Sequence, residues 1–206
     1  MGSYVSIQNE LKHIIKDTIA PLFKAKGFKK KGNNFAKTLS DFAYVVNIQN
    51  SKWNNNEELE FTFNTGIFTD KLFGTFYEIQ TPQFPSEKFS VLRLRVSELK
   101  GIPDEWYKLE PTTDLEKMKR KIQNDIENVI LPHFGQFQTI EDVINEIRLK
   151  ELQGWFENPH FLTILYEAYG FREEAQNRIN NIYSKQSELQ KEFTKELAER
   201  LGLHVY

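Results

Sequence analysis

The feature that most constrains this chain is a change of hydrophobic period, made twice. Over residues 6–26 the apolar side chains Ile7, Leu11, Ile14, Ile15, Ile19, Leu22 and Phe23 recur at threes and fours, the spacing of an amphipathic helix. Ser6 is suited to cap it, Pro21 to kink or split it, and Gly27 to end it. The period then drops to two. Residues 34–39, 42–50 (FAYVVNIQN), 58–67 (ELEFTFNTGI) and 89–99 (FSVLRLRVSEL) alternate as half-buried strands do, and residues 106–109 fit a short fifth. Asn33-Asn34, Ser40-Asp41 and Asn54-Asn55-Asn56 punctuate them, which predicts antiparallel pairing through short links. Residues 68–88, with Pro82 and Pro85, read as irregular.

Helical spacing returns at Thr113. One stripe runs from Leu115 to Ile130 and is predicted to stop before Pro132. Thr139 caps the next helix and Pro159 starts another, with Gly170 as its stop. Residues 172–202 read as one helix of about 45 Å, at ~1.5 Å per residue, with a narrow apolar stripe. No internal repeat stands out. The predicted fold is α+β: an antiparallel sheet of four to six strands packed against the N-terminal and central helices, with a C-terminal helical extension. Its predicted domains are residues 1–135 and a helical subdomain over 136–206, ending in the long amphipathic helix. That helix would pack within the chain or pair two copies into a homodimer.

Composition narrows the function. The 206 residues contain no cysteine, which excludes disulfides, thiolate metal sites and a cysteine nucleophile. A net charge of −2 argues against a globally basic nucleic-acid binder. Apolar runs are too short for a membrane span or a signal-peptide core, so a cytoplasmic protein is expected. Charge is nonetheless uneven. Residues 1–40 hold eight lysines against two acids, while 41–111 and 112–206 each carry four more acids than bases.

Alternation separates the strand faces. Tyr44, Val46 and Ile48 oppose Val45, Asn47 and Gln49. Leu59, Phe61, Phe63 and Ile67 oppose Glu60, Thr62, Asn64 and Gly66. Leu92, Leu94 and Val96 oppose Val91, Arg93, Arg95 and Ser97. The apolar faces must meet the helices, leaving Asn47, Gln49, Glu60, Thr62, Asn64, Arg93 and Arg95 on one polar surface. Amides offer donors and acceptors together, and arginine offers a planar fork for carboxylate or phosphate. Trp53, in the loop after Gln49, could wall a pocket beside them, as could Trp106 and Tyr107. The plainer account is a solvated face with Glu60 paired to Arg93 or Arg95.

Several segments, in this order and spacing, resemble a bacterial family called domain of unknown function 4304: Ile14-Ile15, Pro21-Leu22, Gly27-Phe28-Lys29-Lys30-Lys31-Gly32-Asn33 and Phe35, then residues 45–51 and 61–66. The resemblance covers roughly the first 135 residues. It implies no reaction, no cofactor and no catalytic residues.

Enzyme motifs are sparse. There is no glycine-rich phosphate loop, GxSxG or HExxH, and His13, His133, His160 and His204 lack ligand spacing. The sequence therefore points away from an enzyme, with no catalytic residue, metal or cofactor assigned. The expected function is a binding domain holding a protein partner or polar small molecule on its sheet face, an inhibitor or immunity-type protein being one version. Two rivals remain. Glu60, Glu98 and Lys100 could serve a metal-dependent phosphodiesterase or nuclease, carboxylates holding the metal and lysine aiding the attacking water. Lys26, Lys29, Lys30, Lys31 and Lys37, with Phe28 and Phe35, could hold nucleic acid, against the simpler reading of a solvated helix end.

Overall fold

The first helix begins where Ser6 predicts, its side chain accepting from the Asn9 N–H. Helix α1 (Ile7–Ile14) runs on through a π-helical turn (Ile15–Ile19) into α2 (Ala20–Ala25). The π-turn answers Pro21. Proline has no N–H to donate, and its ring collides with the carbonyl one turn back. Widening that turn, so that the Ala20 N–H reaches the Ile15 carbonyl, lets the rod continue. Gly27, at φ +85°, turns the chain out, and the Phe28 N–H returns to the Phe23 carbonyl. The computed structural model describes residues 6–155 and 158–206.

The same device recurs in the central helix. There α5 (Leu115–Asp125), a π-turn (Ile126–Ile130) and α6 (Leu131–Gly135) form a second rod, which continues through Pro132 instead of stopping before it. The two rods share one pattern of residue spacing. Leu11, Ile15, Ile19, Pro21 and Phe23 correspond in spacing to Ile122, Ile126, Ile130, Pro132 and Phe134. All these residues except the prolines are buried, and α5 packs against the first π-turn. The chain thus carries a short internal repeat.

The rods cover one face of an antiparallel sheet: β1 (Lys29–Lys31), β2 (Asn34–Thr38), β3 (Ala43–Asn50), β4 (Leu59–Phe68) and β5 (Val91–Arg95), in that order. A sixth strand, β6 (Tyr107–Leu109), pairs with the other half of β4's outer edge. Phe23 meets Phe35 at 4.8 Å between ring centroids, and Tyr44 stacks on Phe134 at 4.7 Å. Fully buried Phe61, Phe63 and Ile67 extend this core.

One predicted strand is shorter than expected. Residues 89–99 give only β5, followed by a helical turn, α4 (Val96–Leu99), fastened by Glu98 accepting from the Arg95 backbone N–H at 2.6 Å. A bulge also alters the facing. Val91 lies opposite Ile67 and Leu94 opposite Thr65, so three steps of β5 match two of β4. Leu92 absorbs the extra residue at φ +52°. Val91 therefore joins Leu94 on the core side and not the side of Arg95.

Residues 6–68 and Phe84–Gln138 form one compact unit; Thr69–Gln83 and Thr139–Tyr206 form a second. Segment 68–88 is not irregular throughout, nor wholly part of the first domain. Thr69 caps helix α3 (Asp70–Tyr77), accepting from the Leu72 N–H at 3.1 Å, and Phe76 packs edge-on to Phe161. Around it lie α7 (Ile140–Leu152), α8 (Pro159–Ala168), α9 (Arg172–Ser184) and α10 (Glu188–Arg200). The single long C-terminal helix is corrected to this last pair. Ser187 starts α10 with a capping box to Gln190, and the alternative local bonds break the helix there. Half of the stripe, Ala175, Ile179 and Leu197, is buried within the chain, while Leu189 stands 84% exposed and Phe193 38%.

Candidate recognition face

The second face of the sheet carries a row of polar residues set by strand register. Lys31 on β1 lies opposite Asn34 on β2, Asn34 opposite Asn47 on β3, Asn47 opposite Asn64 on β4, and Asn64 opposite Arg95 on β5. Cross-strand partners share a face. At ~4.8 Å per strand the row spans about 19 Å. Its members are linked. Asn47 Nδ2 donates to Asn34 Oδ1 at 2.8 Å, Asn64 Nδ2 to Gln49 Oε1 at 2.6 Å, and Arg95 Nε to Asn64 Oδ1 at 3.4 Å. Asn34, Asn47, Gln49 and Asn64 are half-buried, while Lys29 and Lys31 are exposed on the same side.

Arg95 is not a free fork for an anion. Its Nη1 donates to Asp104 at 2.6 Å, and its guanidinium lies 5.0 Å from the Trp106 ring centroid. Trp106 Nε1 donates to the other Asp104 oxygen at 3.1 Å. The hydrogen bond from Arg95, and then that from Trp106, hold the Asp104 carboxyl below the usual carboxylate range. Cation and carboxylate neutralise each other, so the end of the row is polar without net charge.

Arg93 serves a different purpose. It bonds Glu87 at 2.7 Å and pins the segment 86–90 across the same face. That strap rests on Gly66, where a Cβ would lie 2.6 Å from Ser90 Cβ. Glycine is required here because the Ser90 side chain lies against it and leaves no room for a Cβ. The strap covers the end of the face near Val45 and Gly66 and leaves the amide row half-open.

Glu60 is not paired with either arginine. It lies opposite Lys108 in register, yet Lys108 bonds Glu58 and Glu110, each at 2.9 Å. The Glu60 carboxylate has no partner among the described residues. Thr62, two residues on and opposite Gln49, is fully buried, and its hydroxyl has no hydrogen-bond partner among the described residues. Trp53 is 78% exposed, with the Lys52 ammonium over its ring. Tyr107 faces the core, where it stacks on Phe61 and donates to Asp125.

The structure thus joins Asn47, Gln49, Thr62, Asn64 and Arg95, and sets Arg93 and Trp53 apart. It adds Asn34, Lys31 and Asp104. The first two were readable as alternation through Lys29–Asn34; Asp104 had no signal, because it comes from a loop. Glu98 and Lys100 do not join Glu60. Glu98 caps its own helical turn, and Lys100 bonds Glu105 at 2.8 Å and Asp125 at 3.4 Å. Burial pushes the Lys100 ammonium toward deprotonation, but the bond to Glu105 and the Asp125 charge outweigh it and leave its pKa raised. Among the described residues no group of three or more His, Asp or Glu side chains is placed to hold a metal ion.

Residues 19–136, over half the chain, match the family described as Domain of unknown function (DUF4304). The chain belongs to that family. No curated protein and no solved structure matches it. The DUF4304 match contains every strand and the whole polar row, and ends beside the boundary of the first unit. No helix among the described residues is long and apolar enough to cross a membrane.

Proposed function

We propose that this protein is a non-enzymatic binding domain of the cytoplasm, which holds a protein partner on the polar face of its sheet. The observation that carries the reading is the polar row Lys31–Asn34–Asn47–Asn64–Arg95 on a five-strand floor, with Asn34 bonded to Asn47, and with Gln49, Asn64 and Arg95 bonded as a second group. Side chains tied to one another are already ordered, so a partner meets them at little entropic cost. Amides also suit the polar backbone and side chains of another protein. A small inhibitor of the immunity type is one concrete form of such a domain.

The test is capture by the tagged full chain from a lysate of its own source, set against the Asn47→Ala/Asn64→Ala double variant. A partner held by the wild type and lost by a folded variant supports the reading. Equal recovery overturns it. Capture of nucleic acid that weakens steeply with salt and depends on Lys29 and Lys31 would replace it with a nucleic-acid function.

A further inference from the structure

From three neighbouring features on and beside β4 we infer that the acidic corner of this face is a subsite for a basic side chain, arginine or lysine, of the partner protein. The inference rests on the binding reading above and specifies the chemistry of what is bound.

The corner is built from Glu58, Glu60, Lys108 and Glu110. They alternate onto the polar side of β4 and β6, or directly flank those strands. The one cation is taken by Glu58 and Glu110. That leaves Glu60 with two acceptor oxygens and no donor among the described residues. The next residue on the same face, Thr62, buries an unpartnered hydroxyl, the kind of group that a folded protein ordinarily satisfies. A carboxylate beside a hydroxyl oxygen calls for a donor with several N–H groups and a positive charge. A guanidinium or ammonium meets that requirement; a carboxylate or phosphate does not.

A second element is held beside this corner. Asn54 grips Glu60's backbone at both ends, accepting from its N–H at 2.7 Å and donating to its carbonyl at 2.9 Å. The residue before Asn54 is Trp53, the exposed indole. Its ring already has Lys52 at 4.9 Å from the centroid, and aromatic faces attract cations. Exposed tryptophans are also frequent anchors of protein interfaces. Glu60 would receive the cation, with the buried Thr62 hydroxyl behind it, while Trp53 covers its aliphatic stem.

The probe is a capped Gly-Arg-Gly peptide titrated into the full-length protein, with capped Gly-Glu-Gly as control, followed by backbone and indole NMR shifts. Expected are shifts confined to Trp53, Glu60 and Thr62 with the arginine peptide alone, and at least a five-fold weaker affinity in Glu60→Gln. Thr62→Val gives an independent check. It should raise the melting temperature, by removing an unsatisfied buried hydroxyl, and weaken the peptide. Shifts spread over other acidic sites, or an unchanged affinity in both variants, would overturn the subsite. If Asn47→Ala/Asn64→Ala loses the natural partner while Glu60→Gln keeps it, the subsite fails and the binding face stands. If both variants keep the partner, the face itself fails.

Discussion

Gly66→Ala probes how the strap is seated on the polar face of the sheet. The added Cβ would lie 2.6 Å from Ser90 Cβ and 3.1 Å from Ser90 Oγ. Carbon atoms rest at about 3.5–4.0 Å, so the pair must separate by about 1 Å. Ser90 has little room to yield. It is buried, its N–H bonds the Glu87 carbonyl at 3.0 Å, and its hydroxyl bonds the Ser86 carbonyl at 3.0 Å. Overpacking of this kind costs about 1–3 kcal/mol, and losing the Ser90 hydroxyl bond adds about 1 kcal/mol. Opposing this, alanine is preferred to glycine inside a strand by roughly 0.5–1 kcal/mol. The expected net is a loss of about 1–3 kcal/mol in urea unfolding followed by circular dichroism. Ser90→Gly removes the colliding atom and should restore most of that loss when combined with Gly66→Ala, although alone it destabilises. A Gly66→Ala protein as stable as the wild type would refute the close approach, and with it the account of why this strand carries glycine beside Asn64.

Three further outcomes are expected. Asp125, 3% exposed, accepts from Tyr107 at 2.6 Å and from Lys100; Asp125→Ala should cost about 2–4 kcal/mol and Tyr107→Phe about 1 kcal/mol by the same assay. His160 lies against Thr194 and Phe193, and burial, then the charge of Arg178, lowers its pKa. The unfolded chain therefore takes up this proton first on acidification. Its contribution is complete above the unfolded value of about 6.5 and is lost as pH falls through the lower folded value. Melting temperatures from pH 7.5 to 5 should show that decline, and His160→Gln should flatten it. Asp104→Asn leaves the Arg95 charge uncompensated, so sulfate at low ionic strength should shift the Arg95 and Asn64 resonances in the variant and not in the wild type.

The strands and their facing were legible because alternation is a local property. Asn47, Gln49, Thr62 and Asn64 were assigned to one surface by parity, and register then brought them opposite one another. What parity cannot carry is a bulge. Leu92 adds one residue to β5, and every side assignment upstream of it reverses, which is how Val91 came to be placed with the arginines. Proline misleads for a similar reason. Its missing N–H marks a break only if the turn before it stays α-helical; at Pro21 and Pro132 a π-turn absorbs the clash. The matching isoleucines and phenylalanines of the two rods held that information, visible only when both segments are laid side by side. The break at Ser187 could have been read from its box with Gln190, but the apolar stripe runs on past it and hides the stop.

The site owes its place to how the outer edge of β4 is shared. Strand β5 pairs from Asn64 outward and β6 from Phe61 back, so Thr62 and Phe63 have no residue opposite them on that side. The chain leaves the sheet at Arg95, makes one helical turn, and returns at Tyr107. Arg95 and Trp106 then stack, and Asp104 bonds both. Farther along the loop, Lys100 and Lys121 converge on Glu105, which they hold below the usual carboxylate range. The loop is fastened at both ends by charge-assisted bonds. A divided strand edge closed by a fastened loop gives polar groups a fixed floor and leaves Thr62, beside the gap, without a partner. Under the proposed function, those are the conditions in which an amide row reads shape and hydrogen-bond pattern, with Lys31 adding a cation at one end and Glu60 a carboxylate without a partner among the described residues at the other.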